Sequence, residues 1–179
     1  ELVTPITETR SYPRTSVRIY EMAFRSDPGR NGPGFAIGRV TSRYAAGLGP
    51  IDGAEAYFRT GRITAGLVAG LQPDYVTSGI DPERQKLAAF INLAWQAGAS
   101  ATGDVTLAYG RLMFKGILDR DFVYVQSSTR LGSALFLHQS AEVDITGMEG
   151  NERTSKPRLT NTYVNATWLP FRWMSLDAG

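Results

Sequence analysis

Apolar and polar residues alternate along most of this chain, and a period of two is typical of β-strands whose two faces meet different surroundings. The segment 62–73 places Ile63, Leu67 and Leu71 on one side, together with two alanines, and mostly polar or small residues on the other. The segment 133–146 repeats the pattern more clearly. The alternation therefore predicts an all-β chain.

Glycine and proline fall mostly between the alternating segments, as they do in antiparallel strands joined by turns. Several segments are 11 to 14 residues long. Strands of soluble proteins usually have about 5–6 residues, whereas a tilted strand needs about 9–11 to cross a bilayer. The ten predicted strands lie near 15–26, 34–44, 51–60, 62–73, 84–97, 101–115, 118–130, 133–146, 156–169 and 171–179.

One part of the chain, 82–97, fits two patterns. Asp81-Pro82-Glu83 followed by an apolar stripe is a plausible helix start. The same residues also alternate with a period of two, from Leu87 to Trp95. We prefer the strand because the segments on both sides are strands, although periodicity alone does not decide between them.

The connections between the predicted strands alternate in length. Thr60-Gly61, Leu131-Gly132 and Pro170-Phe171 indicate tight turns, whereas longer polar links lie at 74–83 and 147–155. Outer-membrane barrels have short periplasmic turns and longer extracellular loops. The sequence therefore predicts that 74–83 and 147–155 share an extracellular rim, which the links at 45–50 and 116–118 also join.

Composition argues against several chemistries. The chain has no cysteine and a single histidine, His138, so thiolate sites, disulfides and histidine-based zinc or catalytic clusters are not expected. The net charge is only +2, which gives no field that favours nucleic acid. The nucleotide-binding, metalloprotease and serine-hydrolase motifs are missing too. We expect a protein that is not an enzyme and binds no cofactor and no nucleic acid.

The fold predicted from these features is an antiparallel up-and-down transmembrane β-barrel. No run of about 18 apolar residues is present, and only a closed sheet otherwise satisfies every backbone group in hydrocarbon. The alternative is a soluble all-β ligand-binding domain, either a sandwich or a small barrel. We expect 1–14 to be a polar lead and 15–179 to form the strands of a single domain. Because no export segment begins the chain and no terminal aromatic residue closes it, we expect about ten strands of a larger barrel.

In such a barrel the polar faces of the strands line the lumen and the apolar faces meet lipid. Leu67 and Val143 are predicted to face lipid. Aromatic residues near strand ends are predicted to lie at the membrane interfaces: Tyr57, Phe58, Tyr75, Trp95, Phe114, Phe122, Tyr124, Trp168, Phe171 and Trp173. The predicted lumen-lining residues are the polar members of the strands: Arg39, Glu55, Arg59, His138, Glu142, Asp144 and Asp177.

Four segments carry a resemblance to a family. Gly49-Pro50-Ile51-Asp52-Gly53-Ala54-Glu55, Gly70-Leu71-Gln72-Pro73-Asp74, Leu118-Asp119-Arg120-Asp121-Phe122 and Gln139-Ser140-Ala141-Glu142-Val143-Asp144 resemble segments of bacterial outer-membrane β-barrel proteins of the porin-like kind. The resemblance implies a location in the bacterial outer membrane and contact with its lipid. It also implies passage of small solutes or a scaffold role, with other envelope proteins or further strands of the same polypeptide as partners.

Overall fold

The computed structural model of the chain describes residues 19–74, 79–149, 152–154, 156–171 and 174–179. Apart from one 3₁₀ turn, Ala46–Leu48, the regular structure of these residues is entirely β. The predicted all-β antiparallel class is therefore confirmed. The strands are β1 Met22–Ser26, β2 Asn31–Val40, β3 Ile51–Thr60, β4 Ile63–Pro73, β5 Ile80–Ala97, β6 Ala101–Phe114, β7 Ile117–Leu131, β8 Leu135–Glu149, β9 Glu152–Thr154, β10 Arg158–Phe171 and β11 Met174–Ala178.

The strands form one sheet in which each pairs antiparallel with its neighbour in sequence, in the order β1 to β8, then β10 and β11. The short β9 pairs with β8 outside this path. Among the described residues, no pairing joins β1 to β11, so the sheet keeps two edges. Up-and-down connectivity is thus present, and the described strands do not close into a barrel.

Most strand predictions agree closely with the structure. β3 has the predicted bounds 51–60, and the ambiguous segment 82–97 lies in the 18-residue strand β5. The segment predicted as 34–44 ends instead at Val40, because residues 41–50 turn onto one face of the sheet. The proposed lead 1–14 and the start of the strand 15–26 lie outside the described residues.

The predicted separation of the connections by length holds only in part. The link between β6 and β7 is a two-residue turn, Lys115-Gly116, most of the predicted link 147–155 lies in β8 and β9, and the predicted turn Pro170-Phe171 lies within β10. Short turns follow β3, β5 and β7, and glycines in the left-handed region complete them: Gly61 (φ 57°), Gly98 (φ 63°) and Gly132 (φ 59°). This conformation favours glycine because it has no Cβ. We call this end of the sheet the turn end. Residues 41–50 lie at the opposite end, which we call the loop end.

The two faces of the sheet differ in what they bury. The face on which residues 41–50 lie is called the covered face, and the opposite one the open face. Along β5 the covered face buries Lys86, Ala88, Phe90 and Asn92 in alternation with exposed apolar residues. Aromatic rings on the covered face lie over glycines of the adjacent strand, where a Cβ would approach the ring to 2.3–2.5 Å: Tyr57 over Gly34, Phe90 over Gly66 and Phe122 over Gly110.

Candidate functional site

Residues 41–50 connect β2 to β3 and fold onto the covered face. Ala45 and Leu48 are buried in the same cluster as Val40 and Ile51, which flank the segment. The hydrophobic contacts hold both ends of the connection against the sheet. We call this segment the inward loop.

A buried polar pair holds the first part of the inward loop. The Ser42 hydroxyl donates to Glu55 Oε1 at 2.8 Å, and both side chains are buried. Ser42 Oγ also accepts hydrogen bonds from the backbone N–H groups of Tyr44 and Ala45, at 3.2 and 3.1 Å. Arg25 reaches the other oxygen of the Glu55 carboxylate at 3.9 Å. One carboxylate on β3 is therefore linked both to β1 and to the inward loop.

Tyr44 forms the middle contact of the inward loop. Its ring stacks on Phe90 of β5, with centroids 5.2 Å apart and planes inclined by 18°, and meets Tyr57 edge-on at 5.2 Å. The Arg59 guanidinium donates a hydrogen bond to the Tyr44 hydroxyl. This ring thus bridges β3 and β5 across β4.

The end of the inward loop contacts the centre of the sheet. A Cβ at Gly47 would lie 2.0 Å from the ring of Tyr124 on β7, so the loop backbone rests directly on that ring. The buried Lys86 ammonium on β5 donates to the carbonyl oxygen of Leu48. The Tyr124 hydroxyl in turn donates to Gln126 Oε1 at 2.9 Å. The loop therefore extends over the strands between β3 and β7.

A charged cluster lies beside these contacts, on β7 and β8. Arg120 hydrogen-bonds Glu142 and forms an ion pair with Asp144 at 3.2 Å. Its guanidinium also lies over the Phe122 ring, 4.5 Å from the centroid. Two carboxylates thus share one guanidinium, and the Phe122 ring stabilises the same group through a cation–π contact.

Towards the turn end, the covered face is mostly polar. Asn92 Nδ2 donates to Thr106 Oγ1 at 2.9 Å and to Asp104 Oδ2 at 3.0 Å. His138 Nδ1 lies 3.0 Å from the Ser128 hydroxyl. Such a face offers donors and acceptors to water or a polar solute. At the far edge, Thr167 donates to Asp177 at 2.6 Å.

The register places six of the seven predicted lumen-lining residues on the covered face: Glu55, Arg59, His138, Glu142, Asp144 and Asp177. The expectation that Arg39 shares this face is wrong. Arg39 lies on the open face with Phe35 and Ile37 and forms a two-pronged ion pair with Asp52, with both N···O distances 2.7 Å. The charge of Arg39 is tolerated on this face because its direct cross-strand neighbour on β3, Asp52, carries the opposite charge.

Several covered-face residues escaped the sequence analysis. Lys86 and Arg120 belong to strands that were predicted. The alternation of side chains along those strands would have placed both residues on the covered face. The contacts of Ser42 and Tyr44 had no local signal, since their partners Glu55 and Phe90 lie on other strands.

The open face is predominantly apolar and exposed. Leu67 is 64% exposed and Leu107 50% exposed, and Val143 lies on the same face. Larger rings follow towards the turn end, where Phe58, Trp95 and Trp168 lie within three residues of their strand ends. Of the other aromatic residues expected at the membrane interfaces, Tyr57, Phe122 and Tyr124 lie instead on the covered face, and Tyr75 and Trp173 lie outside the described residues.

Charges on the open face occur as close pairs near the loop end. One pair is Arg39 with Asp52, and the other joins Arg111 to Asp121 at 2.8 Å. The strand register puts the two pairs in consecutive cross-strand rows. They mark one border of the apolar band.

Comparison of the chain with protein-family models, with curated proteins and with solved structures gave no match. Within the described residues, no helix has the length and apolar character needed to cross a membrane. The same residues contain no group of three or more histidine or carboxylate side chains placed to hold a metal ion.

Proposed function

We propose that this chain forms part of the wall of an outer-membrane β-barrel that passes small polar solutes along its covered face. The observation that carries the proposal is the distribution of polarity between the two faces. Glu55 and Thr106 are buried on the covered face, whereas the large apolar residues of the open face, such as Leu67, are exposed. A water-soluble sheet buries its apolar face instead, so hydrocarbon is the solvent that suits the open face.

The dimensions of the apolar band support the same proposal. On β5, the open-face residues from Leu87 to Trp95 include Ile91 and Leu93, and eight residue steps of about 3.4 Å give roughly 27 Å along the strand. If the strand is tilted by about 45°, the height of the band along the membrane normal is about 19 Å, and a smaller tilt gives a slightly greater height. Both values are close to the apolar band of about 25 Å that is found on outer-membrane barrels. Aromatic residues at one border and paired charges at the other fit its two interfaces.

A barrel also explains how the covered face is protected. In the described part of the chain, only the inward loop lies over this face, and no second sheet or helical layer is present. A sheet that curls back on itself encloses its inner face without a second layer. Closure needs a partner for β1 and for β11, because open edges are unsatisfied in hydrocarbon. Further strands of the same polypeptide, or a neighbouring envelope protein, are the proposed partners.

In this barrel the inward loop narrows the lumen at the level of Tyr44 and Gly47. Its contacts with Glu55, Phe90 and Tyr124 hold it across the centre of the covered face. Solutes would then pass between the loop and the strands that it leaves uncovered, β8 and β10. The polar residues there suit a hydrated path.

Site-directed labelling tests the arrangement of the faces. Because the chain has no cysteine, single-cysteine variants can carry nitroxide labels without further changes. Labels at Leu107 and Val125 on the open face are compared with labels at Gln126 and Ser140 on the covered face, in lipid vesicles. We expect the first two to collide mainly with oxygen and the second two mainly with a polar nickel reagent.

Polar surroundings at all four positions, together with a monomer that stays in solution without detergent, would establish the soluble ligand-binding alternative. Passage of solutes has a separate measurement, since an open lumen gives discrete conductance steps in a planar bilayer. If the open-face labels are exposed to lipid but no conductance steps are observed, the proposal of a barrel wall stands and the proposal of a channel is refuted.

A further inference from the structure

The covered face contains an arginine-lined pocket at the turn end. Its volume is about 390 Å³. It lies between the turn after β1, the inward loop and the residues of β4, β5 and β6 that are nearest the turn end. Residues of the pocket wall include four arginines, one carboxylate and one amide: Arg30, Arg43, Arg59, Arg62, Asp104 and Asn92.

Two of the four arginines are already engaged. Arg59 donates to the Gly29 carbonyl and the Tyr44 hydroxyl, and it lies 3.4 Å from Asp27. Arg43 reaches the same Asp27 carboxylate at 3.8 Å. Because one carboxylate serves two guanidinium groups, the positive charge on this side of the pocket is only partly neutralised.

The other two arginines, Arg30 and Arg62, form no ion pair with any residue that the structure describes. On the opposite wall, Asp104 accepts a hydrogen bond from Asn92. With four guanidinium groups against Asp27 and Asp104, the pocket has a net charge of about two positive.

We propose that this pocket binds a small oxyanion, either a carboxylate or a phosphate group of a solute, between Arg30 and Arg62. Guanidinium groups present parallel N–H donors that match the paired oxygens of both groups. The volume admits a small metabolite. The inference deepens the proposed function, because a pocket of this kind in the lumen would favour anionic solutes, and its role in passage rests on that proposal. Binding itself does not depend on the membrane.

Titration calorimetry of the full chain in detergent micelles tests the binding, with inorganic phosphate and succinate as separate ligands. The double variant Arg30→Gln/Arg62→Gln removes the two guanidinium groups without introducing an apolar surface. The control is Arg84→Gln combined with Lys115→Gln, which removes the same charge from exposed side chains at the loop end. Circular dichroism verifies that all variants keep their β-structure.

We expect saturable binding that weakens about tenfold or more in the pocket variant and stays within twofold in the control. Binding of phosphate alone, or of succinate alone, assigns the group that the pocket selects. Absence of saturable binding for both ligands overturns the inference, as does an equal loss in the control variant, which would indicate general charge attraction. Since the labelling experiment reads lipid exposure and not anion binding, each proposal can fail while the other stands.

Discussion

The close approach of Gly47 to Tyr124 gives a direct test of how the inward loop is seated. A Cβ at position 47 would lie 2.0 Å from the nearest ring carbon, so alanine requires a displacement of about 1.4–2 Å before an ordinary contact distance of 3.4–4 Å is restored. Overpacking of this kind costs about 1–3 kcal/mol. If the ring moves, its buried hydrogen bond to Gln126 breaks as well, and such a bond contributes about 0.5–1.5 kcal/mol. We therefore expect Gly47→Ala to lower the free energy of unfolding by about 2–4 kcal/mol.

Urea unfolding in detergent, followed by tryptophan fluorescence, measures this loss as a shift of the midpoint at constant slope. Trypsin cleavage after Arg43 reports detachment of the loop independently. The exposed neighbour Ala46, changed to serine, is the matched control and should stay within about 0.5 kcal/mol of the unchanged chain. In a Tyr124→Leu background the added methyl group has room, and the cost of Gly47→Ala should fall below about 1 kcal/mol. An equal cost in both backgrounds would refute the seating of the loop on this ring.

Three further predictions concern the two faces. Leu67→Arg places a charge on the exposed apolar band and should destabilise the protein in lipid by about 2–4 kcal/mol, whereas Leu67→Ala should cost much less; equal effects of the two changes would argue against lipid contact. The Arg39–Asp52 pair is two-pronged and mostly buried. In a double-mutant cycle, the double alanine variant should therefore be more stable, by about 1–3 kcal/mol, than the sum of the two single losses predicts. Additive losses would show that the two residues are not coupled. Glu55→Ala leaves the Ser42 hydroxyl without its acceptor and should cost about 1–3 kcal/mol with faster trypsin cleavage of the loop, while Glu55→Gln, which keeps an acceptor oxygen, should retain most of the protection.

Local alternation was sufficient to predict the strands because the side-chain period of two is imposed by the backbone of each strand alone. It placed Glu55 and Arg59 on the same face correctly. Arg39 was assigned by its charge rather than by its parity with Phe35 and Ile37, and the parity was the better guide. A charged residue can occupy an apolar face when a partner on the next strand neutralises it, which the sequence of a single strand does not reveal.

The inward loop could not be predicted, for a related reason. Residues 41–44 continue the alternation of β2, so the local pattern extends the strand through Tyr44. The strand ends earlier because Ser42 bonds to Glu55 and Tyr44 packs on Phe90. Both partners are distant in sequence, and the pairing of β2 with β3 brings them into position. Tertiary contacts therefore overrode a continuous local signal.

The strictly sequential order of the strands affects how such a sheet assembles and how its size can change. Along the main path each strand finds its partner in the preceding hairpin, so the loops closed during folding are short and their entropic cost is small. The growing edge always offers a template for the next strand, and assembly can advance hairpin by hairpin. For the same reason, duplicating one hairpin, such as β5–β6, would preserve every existing type of neighbour contact. The width of the sheet in this architecture is thus a quantity that gene duplication can change in steps of two strands while the fold stays the same.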